Sequence, residues 1–152
     1  MARISAAQRE ANLVRYRQGV IELFWQVGWD DLTYGRLAEH LGVRSSTLQA
    51  YFPNREAFGD CLKGQVFPVF VGYLDLSSRE ALVRSWSQAL SEPKFRMVLT
   101  LLLGNLVGKY PTELGRLGLK RLAVLVTERL GPQAHQDLEL LLGRTVMTLA
   151  DS

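Results

Sequence analysis

Side chains that can hydrogen-bond to base edges or to phosphate oxygens are concentrated between Thr33 and Arg55. Arg44 carries a forked guanidinium that fits the edge of guanine, and Gln49 carries an amide that fits the edge of adenine. Short hydroxyl side chains lie between these two residues, and Glu39 is the only acid in the stretch. Such a combination is typical of a surface that lies against a polyanion.

Two short helices must position these side chains. A helix that Thr33 can cap stops at Gly42, and a second helix follows at once, with Ser45 as its expected cap. Both helices have an inner apolar face, formed by Leu37, Ala38 and Leu41 in the first and by Leu48, Tyr51 and Phe52 in the second. Two short helices joined by so tight a turn form a helix-turn-helix.

Elsewhere the apolar residues recur every three or four positions, which predicts helices and no sheet. The sequence therefore predicts an all-α protein, with a three-helix head at residues 1–55 that contains the helix-turn-helix and a bundle of about five helices at residues 56–152. We expect a long helix that Asn54 caps and that runs to about Leu74, interrupted by a kink or break at Pro68. Further helices are expected at 77–90, 93–106, 111–130 and 133–150.

Composition excludes several classes of protein. The longest apolar runs, such as 98–103, are far shorter than the roughly 20 residues that cross a bilayer, so no membrane partner is expected. A net charge of +3 gives only a mild preference for polyanions. The N-terminus lacks the apolar core of a secretory signal, and the single cysteine, Cys61, cannot form an internal disulfide. These features predict a cytoplasmic protein.

Catalytic and metal-binding constellations are not apparent. His40 and His135 lie far apart, and neither has a cysteine or histidine at ligand spacing, so no metal site is expected. Glycine-rich phosphate loops are absent, and the pair Asp30-Asp31 has no partner base in view. We therefore expect neither an enzyme nor a cofactor. Cys61 falls on the apolar side of its helix, which favours a buried structural thiol over a redox sensor.

The stretch GWDDLTYGRLAEHLGVRSSTLQAYFPNREAF, residues 28–58, resembles the DNA-binding head of TetR-family regulators. The resemblance depends on six features at fixed spacing. They are a glycine (Gly28), a capping threonine (Thr33), a Leu-Ala pair (Leu37-Ala38), a Gly-Val turn (Gly42-Val43), an aromatic-Phe pair (Tyr51-Phe52) and a basic-acidic dipeptide (Arg55-Glu56). With the preceding helix, which the apolar spacing predicts between Ser5 and Val27, it covers about 50 residues. The rest is similar to the family only in being helical, and the chain is shorter than most members.

The resemblance implies a homodimeric repressor that binds a palindromic operator in double-stranded DNA. The residues expected to contact DNA are Thr33, Tyr34, Arg44, Ser45, Ser46, Thr47, Gln49, Tyr51 and Arg55. Arg44 and Gln49 are expected to read bases, whereas Thr33 and Arg55 are expected to hold phosphates. Taken singly, each of these residues could equally be a helix cap or a solvated surface residue.

Four positions depart from the family pattern. Ser46 replaces the common glycine or proline, and Gln49 replaces a tyrosine that usually contacts the DNA backbone. Arg44 replaces a serine, and Arg55 replaces a lysine. These departures leave the expected fold unchanged, but they leave the operator sequence open.

The last two helices, 112–130 and 133–150, are expected to form the homodimer, since two such hairpins can pack face to face as a four-helix bundle. The apolar residues expected to form the interface are Leu114, Leu117, Leu122, Leu125 and Val126 in the first helix and Leu138, Leu141, Leu142 and Val146 in the second. A small apolar or aromatic effector would release the repressor.

Aromatic residues of the bundle, including Tyr73 and Tyr110, could line the effector pocket or simply form the core. The wall of that pocket is expected to draw on Phe67, Phe70, Trp86, Phe95 and Met97. A close-packed interior at these residues would favour the alternative, a DNA-tethered module that binds a partner protein and has no effector.

Overall fold

The computed structural model describes residues 3–107 and 113–152, and within these ranges the regular structure is entirely helical, as predicted. The chain divides into two compact units, residues 1–65 and residues 66–152. The first unit contains α1 (Ala6–Val27), α2 (Tyr34–Leu41), α3 (Ser45–Tyr51) and α4 (Arg55–Leu62). The second contains α5 (Phe67–Gly72), α6 (Arg79–Ala89), α7 (Pro93–Val107), α8 (Glu113–Leu130) and α9 (Ala134–Ala150).

In the first unit, α1 is the scaffold on which the shorter helices pack. The hydroxyl of Ser5 caps α1 by accepting the Gln8 amide at 3.0 Å, and the Gly28 amide closes the helix on the Phe24 carbonyl at 2.8 Å. One face of α1 packs against α2 and α4. The core of this unit is formed by Tyr16, Val20, Leu23, Phe24, Leu37, Leu48, Phe52 and Phe58.

The helix expected from Asn54 to Leu74 is two helices. Asn54 caps α4 as predicted, since its side chain accepts the Ala57 amide at 3.1 Å. The break, however, comes at 63–66, before Pro68, because Gly64 adopts a φ of 73°, a left-handed conformation that ends a helix. Pro68 lies in the first turn of α5, where its missing N–H has no intrahelical partner to lose.

The second unit is built on α7, which packs chiefly against α8, while α9 packs against both α8 and α6. Ser78 caps α6 by accepting the Ala81 amide at 3.0 Å. The guanidinium of Arg79 joins α6 to α9 by donating to both carboxylate oxygens of Asp137. Pro111, the expected start of a helix, lies outside the described residues.

No helix in the described ranges is both long enough and apolar enough to cross a bilayer.

Candidate nucleic-acid interface

The predicted helix-turn-helix is formed by α2, a three-residue connection and α3. Thr33 caps α2, because its hydroxyl accepts the Arg36 amide at 3.2 Å. Gly42 adopts the left-handed conformation (φ 69°, ψ 34°) that a tight turn between two helices requires. Leu37 and Leu48 are fully buried and hold the two helices together. The turn therefore fixes the orientation of α3.

The outward face of α3 carries the side chains expected to read DNA. Ser46 and Gln49 are exposed, Ser45 and Thr47 are half-buried, and Leu48 on the opposite face is completely buried. This division between a polar outer face and an apolar inner face is what a helix wedged between a major groove and its own core requires.

The start of α3 differs from the prediction. Ser45 was expected to cap this helix, but it is the first helical residue, and the exposed Arg44 occupies the cap position with an extended backbone (φ −82°, ψ 146°). A guanidinium accepts no hydrogen bond, so α3 has no side-chain cap. Among the described residues, none hydrogen-bonds to the side chain of Arg44 or Gln49. Both side chains are therefore available to an external partner.

Tyr34, at the start of α2, makes contacts inside the first unit. Its hydroxyl donates to the carbonyl of Phe52 at 2.6 Å, and its ring packs 4.9 Å from the ring of Phe58. Burial raises the pKa of Tyr34, although the charge of Arg55 opposes the shift, so the phenol remains a hydrogen-bond donor at neutral pH. Tyr34 thus fixes the carboxyl end of α3 against α2.

Arg55, expected to hold a phosphate, is also tied to the first unit itself. Its two terminal nitrogens donate to the carbonyls of Leu32 and Trp29, both at 2.9 Å. The guanidinium lies 4.6 Å from the centre of the Trp29 ring. The side chain is half-buried and joins the start of α4 to the loop between α1 and α2. Sequence reasoning missed this role, because backbone carbonyls accept at every position and leave no trace in side-chain patterns.

Tyr51, at the end of α3, faces α1. Its hydroxyl accepts from the Asn12 amide at 3.1 Å, and its ring meets the ring of Tyr16 edge-on at 5.0 Å. The guanidinium of Arg9 lies 4.8 Å from the centre of the Tyr51 ring. Sequence reasoning could not connect Arg9 or Asn12 with α3, because about 40 residues separate them from Tyr51.

The histidines and the cysteine have structural partners. His40 pairs with Glu22 at 3.0 Å, and His135 pairs with Glu139 at 3.1 Å. Cys61 is buried as predicted, and its thiol donates to the Ala57 carbonyl. Burial raises the pKa of this thiol, which keeps it in the unreactive protonated form.

Three of the five residues expected to line an effector pocket form a ring cluster in the second unit. The rings of Phe70 and Phe95 stack at 4.3 Å, and the indole of Trp86 meets both edge-on, at 5.7 and 5.3 Å. All three side chains are almost completely buried. The rings are in direct contact with one another. The one polar group of these rings, the indole N–H of Trp86, donates to the hydroxyl of Thr145 at 2.8 Å.

The other two residues of the expected pocket lie nearer the surface. Phe67 and Met97 are half-buried, and the guanidinium of Arg121 lies 4.6 Å from the centre of the Phe67 ring. Tyr73 packs edge-on against Phe95 at 5.9 Å. Tyr110, also considered for the pocket, lies outside the described residues.

The last two helices bury part of the apolar surface assigned to the dimer. Leu122, Val126, Leu138 and Leu141 were expected at the interface, but they are buried within the second unit, because α7 covers α8 and α6 covers α9. Two residues of the expected interface, Leu117 and Val146, remain exposed. Val124, Leu140 and Met147, which were not assigned to the interface, are exposed as well. Val124 also borders an open depression of about 350 Å³ that reaches His135.

Two family models match the chain, and together they cover most of it. Residues 19–58 match the model described as bacterial regulatory proteins, tetR family. Residues 63–149 match the model of the tetracycline repressor LuxT C-terminal domain. No curated protein matches the chain. The first match spans the helix-turn-helix, and the second spans α5 to α9.

Proposed function

Because the chain belongs to the TetR family of DNA-binding regulators, we propose that it is a homodimeric repressor that recognises a palindromic operator. The observation that supports this best is the outward face of α3, where Arg44 and Gln49 are exposed without internal partners in the described chain. Arg44 is suited to guanine and Gln49 to adenine in the major groove. The matched model describes bacterial regulatory proteins, and bacterial DNA lies in the cytoplasm, so the protein would act in the cytoplasm.

The exposed apolar residues of α8 and α9 support dimerisation. Leu117 and Val124 are seven residues apart on α8, and Leu140 and Met147 are seven residues apart on α9, so each pair lies along one side of its helix. All four are at least half exposed, from 50% for Leu117 to 69% for Leu140. An exposed apolar stripe on each of two adjacent helices is typical of a four-helix dimer interface. A second copy of this chain is the occupant we propose.

Repression follows from this arrangement by exclusion. Two heads related by a two-fold axis would enter successive major grooves, about 34–36 Å apart, on one side of the duplex. If the operator overlaps a promoter, a protein that covers both half-sites excludes RNA polymerase from that DNA.

The test is to select DNA from a pool of random 40-base-pair duplexes with the purified protein and to sequence what is retained. We expect an enriched inverted repeat whose half-sites are centred one helical turn apart. Enrichment of a single unrepeated site would contradict the dimeric arrangement. Retention of DNA without any enriched sequence would contradict base recognition.

A second candidate function is a DNA-tethered module that binds a partner protein, and the ring cluster favours it. Because Phe70, Trp86 and Phe95 are in mutual contact, a small apolar or aromatic effector would have to separate them before it could bind. In vitro transcription from a promoter that overlaps the selected sequence separates the two functions. Inhibition by the protein alone supports the repressor, whereas DNA binding without inhibition supports the module.

A further inference from the structure

We propose that Arg9 of α1 binds a DNA phosphate beside α3, so that the footprint of each head includes α1 as well as α2 and α3. This inference rests on the proposed function, because it concerns DNA seated on α3. It adds a residue to the DNA-binding surface that neither family match nor the motif residues assign, since the first match begins only at residue 19.

The beginning of α1 is fixed against the end of α3. Gln8 Nε2 donates to Asn12 Oδ1 at 2.9 Å, and Asn12 Nδ2 donates to the Tyr51 hydroxyl at 3.1 Å. The second of these hydrogen bonds joins α1 to the last turn of α3, and the first, within α1, orients the Asn12 amide that makes it. Arg9 therefore projects from a helix whose position relative to α3 is set by side-chain contacts.

Arg9 lies beside the side of α3 that carries Tyr51. Its guanidinium lies over the ring of Tyr51, and Tyr51 shares one side of α3 with Thr47, four residues earlier. A helix seated in the major groove has a phosphate backbone along each of its flanks, because the groove is only about 12 Å wide. A cation beside the flank of Thr47 and Tyr51 is thus positioned next to one of these two backbones.

The guanidinium of Arg9 has hydrogen-bonding capacity to spare. Arg9 is exposed, and none of the residues in 3–107 or 113–152 accepts a hydrogen bond from it or forms an ion pair with it. Contact with the face of an aromatic ring does not consume the N–H groups at the edge of a guanidinium, and these groups fit phosphate oxygens. The acid nearest to Arg9 along the sequence is Glu10, the next residue, which projects from α1 about 100° away from Arg9.

Other arginines of the first unit are engaged differently. Arg15 donates to the Leu41 carbonyl at 2.8 Å. Arg17 lies near Cys61, where its charge lowers the pKa of the thiol against the larger effect of burial. Arg17 is exposed and lies eight residues after Arg9 on the same helix. It therefore offers a control that has the same charge and the same helix but a different neighbour.

The test compares the full-length protein with Arg9→Gln and Arg17→Gln, using a random-sequence 30-base-pair duplex and the sequence enriched by selection as probes. For Arg9→Gln we expect affinity at about 0.1 M salt to fall roughly tenfold per lost phosphate contact. The slope of log affinity against log salt should become shallower by about 0.9 per head, or about 1.8 per dimer. The preference for the selected sequence over random DNA should not change, because phosphate contacts carry no base information.

Three results would overturn the inference. These are an unchanged salt slope for Arg9→Gln, an equal change of slope for Arg17→Gln, and a loss of sequence preference in Arg9→Gln. Arg9→Glu is a second variant and should weaken both probes further than Arg9→Gln, while thermal unfolding verifies that each variant is folded. If the unmodified protein binds neither probe, the proposed function itself fails, and this outcome is distinct from failure of Arg9 alone.

Discussion

The guanidinium of Arg55 both stacks on the indole of Trp29, at 4.6 Å, and donates to the carbonyl of the same residue, at 2.9 Å. A residue expected to hold a phosphate is thus part of the contact that fixes the α1–α2 loop to α4. The two roles are compatible only if the guanidinium can also donate to a phosphate while it keeps these internal hydrogen bonds, and they make different predictions for substitutions.

Replacement of Arg55 by alanine should lower the free energy of unfolding by about 2–3 kcal/mol, because two charge-assisted hydrogen bonds and a cation–π contact are lost. Arg55→Lys keeps the charge but not the planar fork, so it should lose much of this stability while keeping the salt slope of DNA binding. Urea unfolding measures the stability. Arg36→Ala, an exposed change on α2, is the control and should stay within about 0.5 kcal/mol of the parent. Equal stability of Arg55→Ala and the parent would contradict the structural role.

Gln49→Ala should change base preference. If the side chain reads one base through two hydrogen bonds, its loss costs about 1–3 kcal/mol at that base and leaves the preference at the other positions intact. Sequencing of selected DNA measures the change position by position. Gln18→Ala is the matched control, since Gln18 is exposed on α1. If both variants select the same sequences as the parent, Gln49 does not read a base.

The dimer should sediment at twice the chain mass of 17.1 kDa at micromolar concentration. Leu140→Glu together with Met147→Glu should yield monomers, because the two carboxylates would be buried without partners in the apolar interface. Gln88→Glu adds a charge at an exposed position of α6, outside the proposed interface, and should leave the dimer intact. A monomeric parent protein would refute the interface.

Thr145→Val should destabilise the second unit. The Thr145 hydroxyl is completely buried and accepts from Trp86 Nε1, so valine leaves a buried N–H without an acceptor, at a cost of about 1–3 kcal/mol. Thr145→Ser keeps the hydroxyl and should lose less. Thr148→Val changes an exposed residue of the same helix and serves as the control in urea unfolding. Identical losses for Thr145→Val and Thr145→Ser would show that packing, and not the hydrogen bond, is responsible.

The ion pair of Asp137 with Arg79 makes part of the stability depend on pH. Hydrogen bonds from Arg79, and secondarily its charge, lower the pKa of Asp137. A carboxyl whose pKa is lower in the folded state stabilises the protein above its unfolded pKa, near 3.9, and this contribution is lost as pH falls through the folded value. The difference in unfolding free energy between the parent and Asp137→Asn should therefore be full at pH 7 and shrink below about pH 4. Asp151→Asn, at the end of the same helix, controls for the loss of one charge. A difference that stays constant down to pH 2 would contradict this assignment.

Local chemistry made much of the first unit predictable. Thr33 and Asn54 cap helices as expected, and Gly42 adopts the left-handed conformation, because each of these features depends on a residue and its immediate neighbours. The outer face of α3 also follows from helical periodicity. What the sequence could not show is which distant groups meet, such as Arg9 with Tyr51, because those contacts depend on how the helices pack.

The second unit shows the same limit. Periodicity identified the apolar residues of α8 and α9, but it could not divide them between core and surface. Leu122 and Leu138 became core because α7 and α6 cover them, and Val124 and Leu140 remained exposed. Likewise, the break at 63–66 depended on the left-handed Gly64, whereas Pro68 was the more conspicuous signal in the sequence.

The enclosure of Trp86 gives the second unit a built-in optical reporter. Of the three tryptophans, Trp25 and Trp29 belong to the first unit, so replacing both with phenylalanine leaves one indole, surrounded by Phe70 and Phe95 and hydrogen-bonded to Thr145. Indole fluorescence shifts to shorter wavelength in apolar surroundings and to longer wavelength when water reaches the ring. The emission of such a chain would thus record any molecule that separates the rings, and titrations could be followed in solution without a dye.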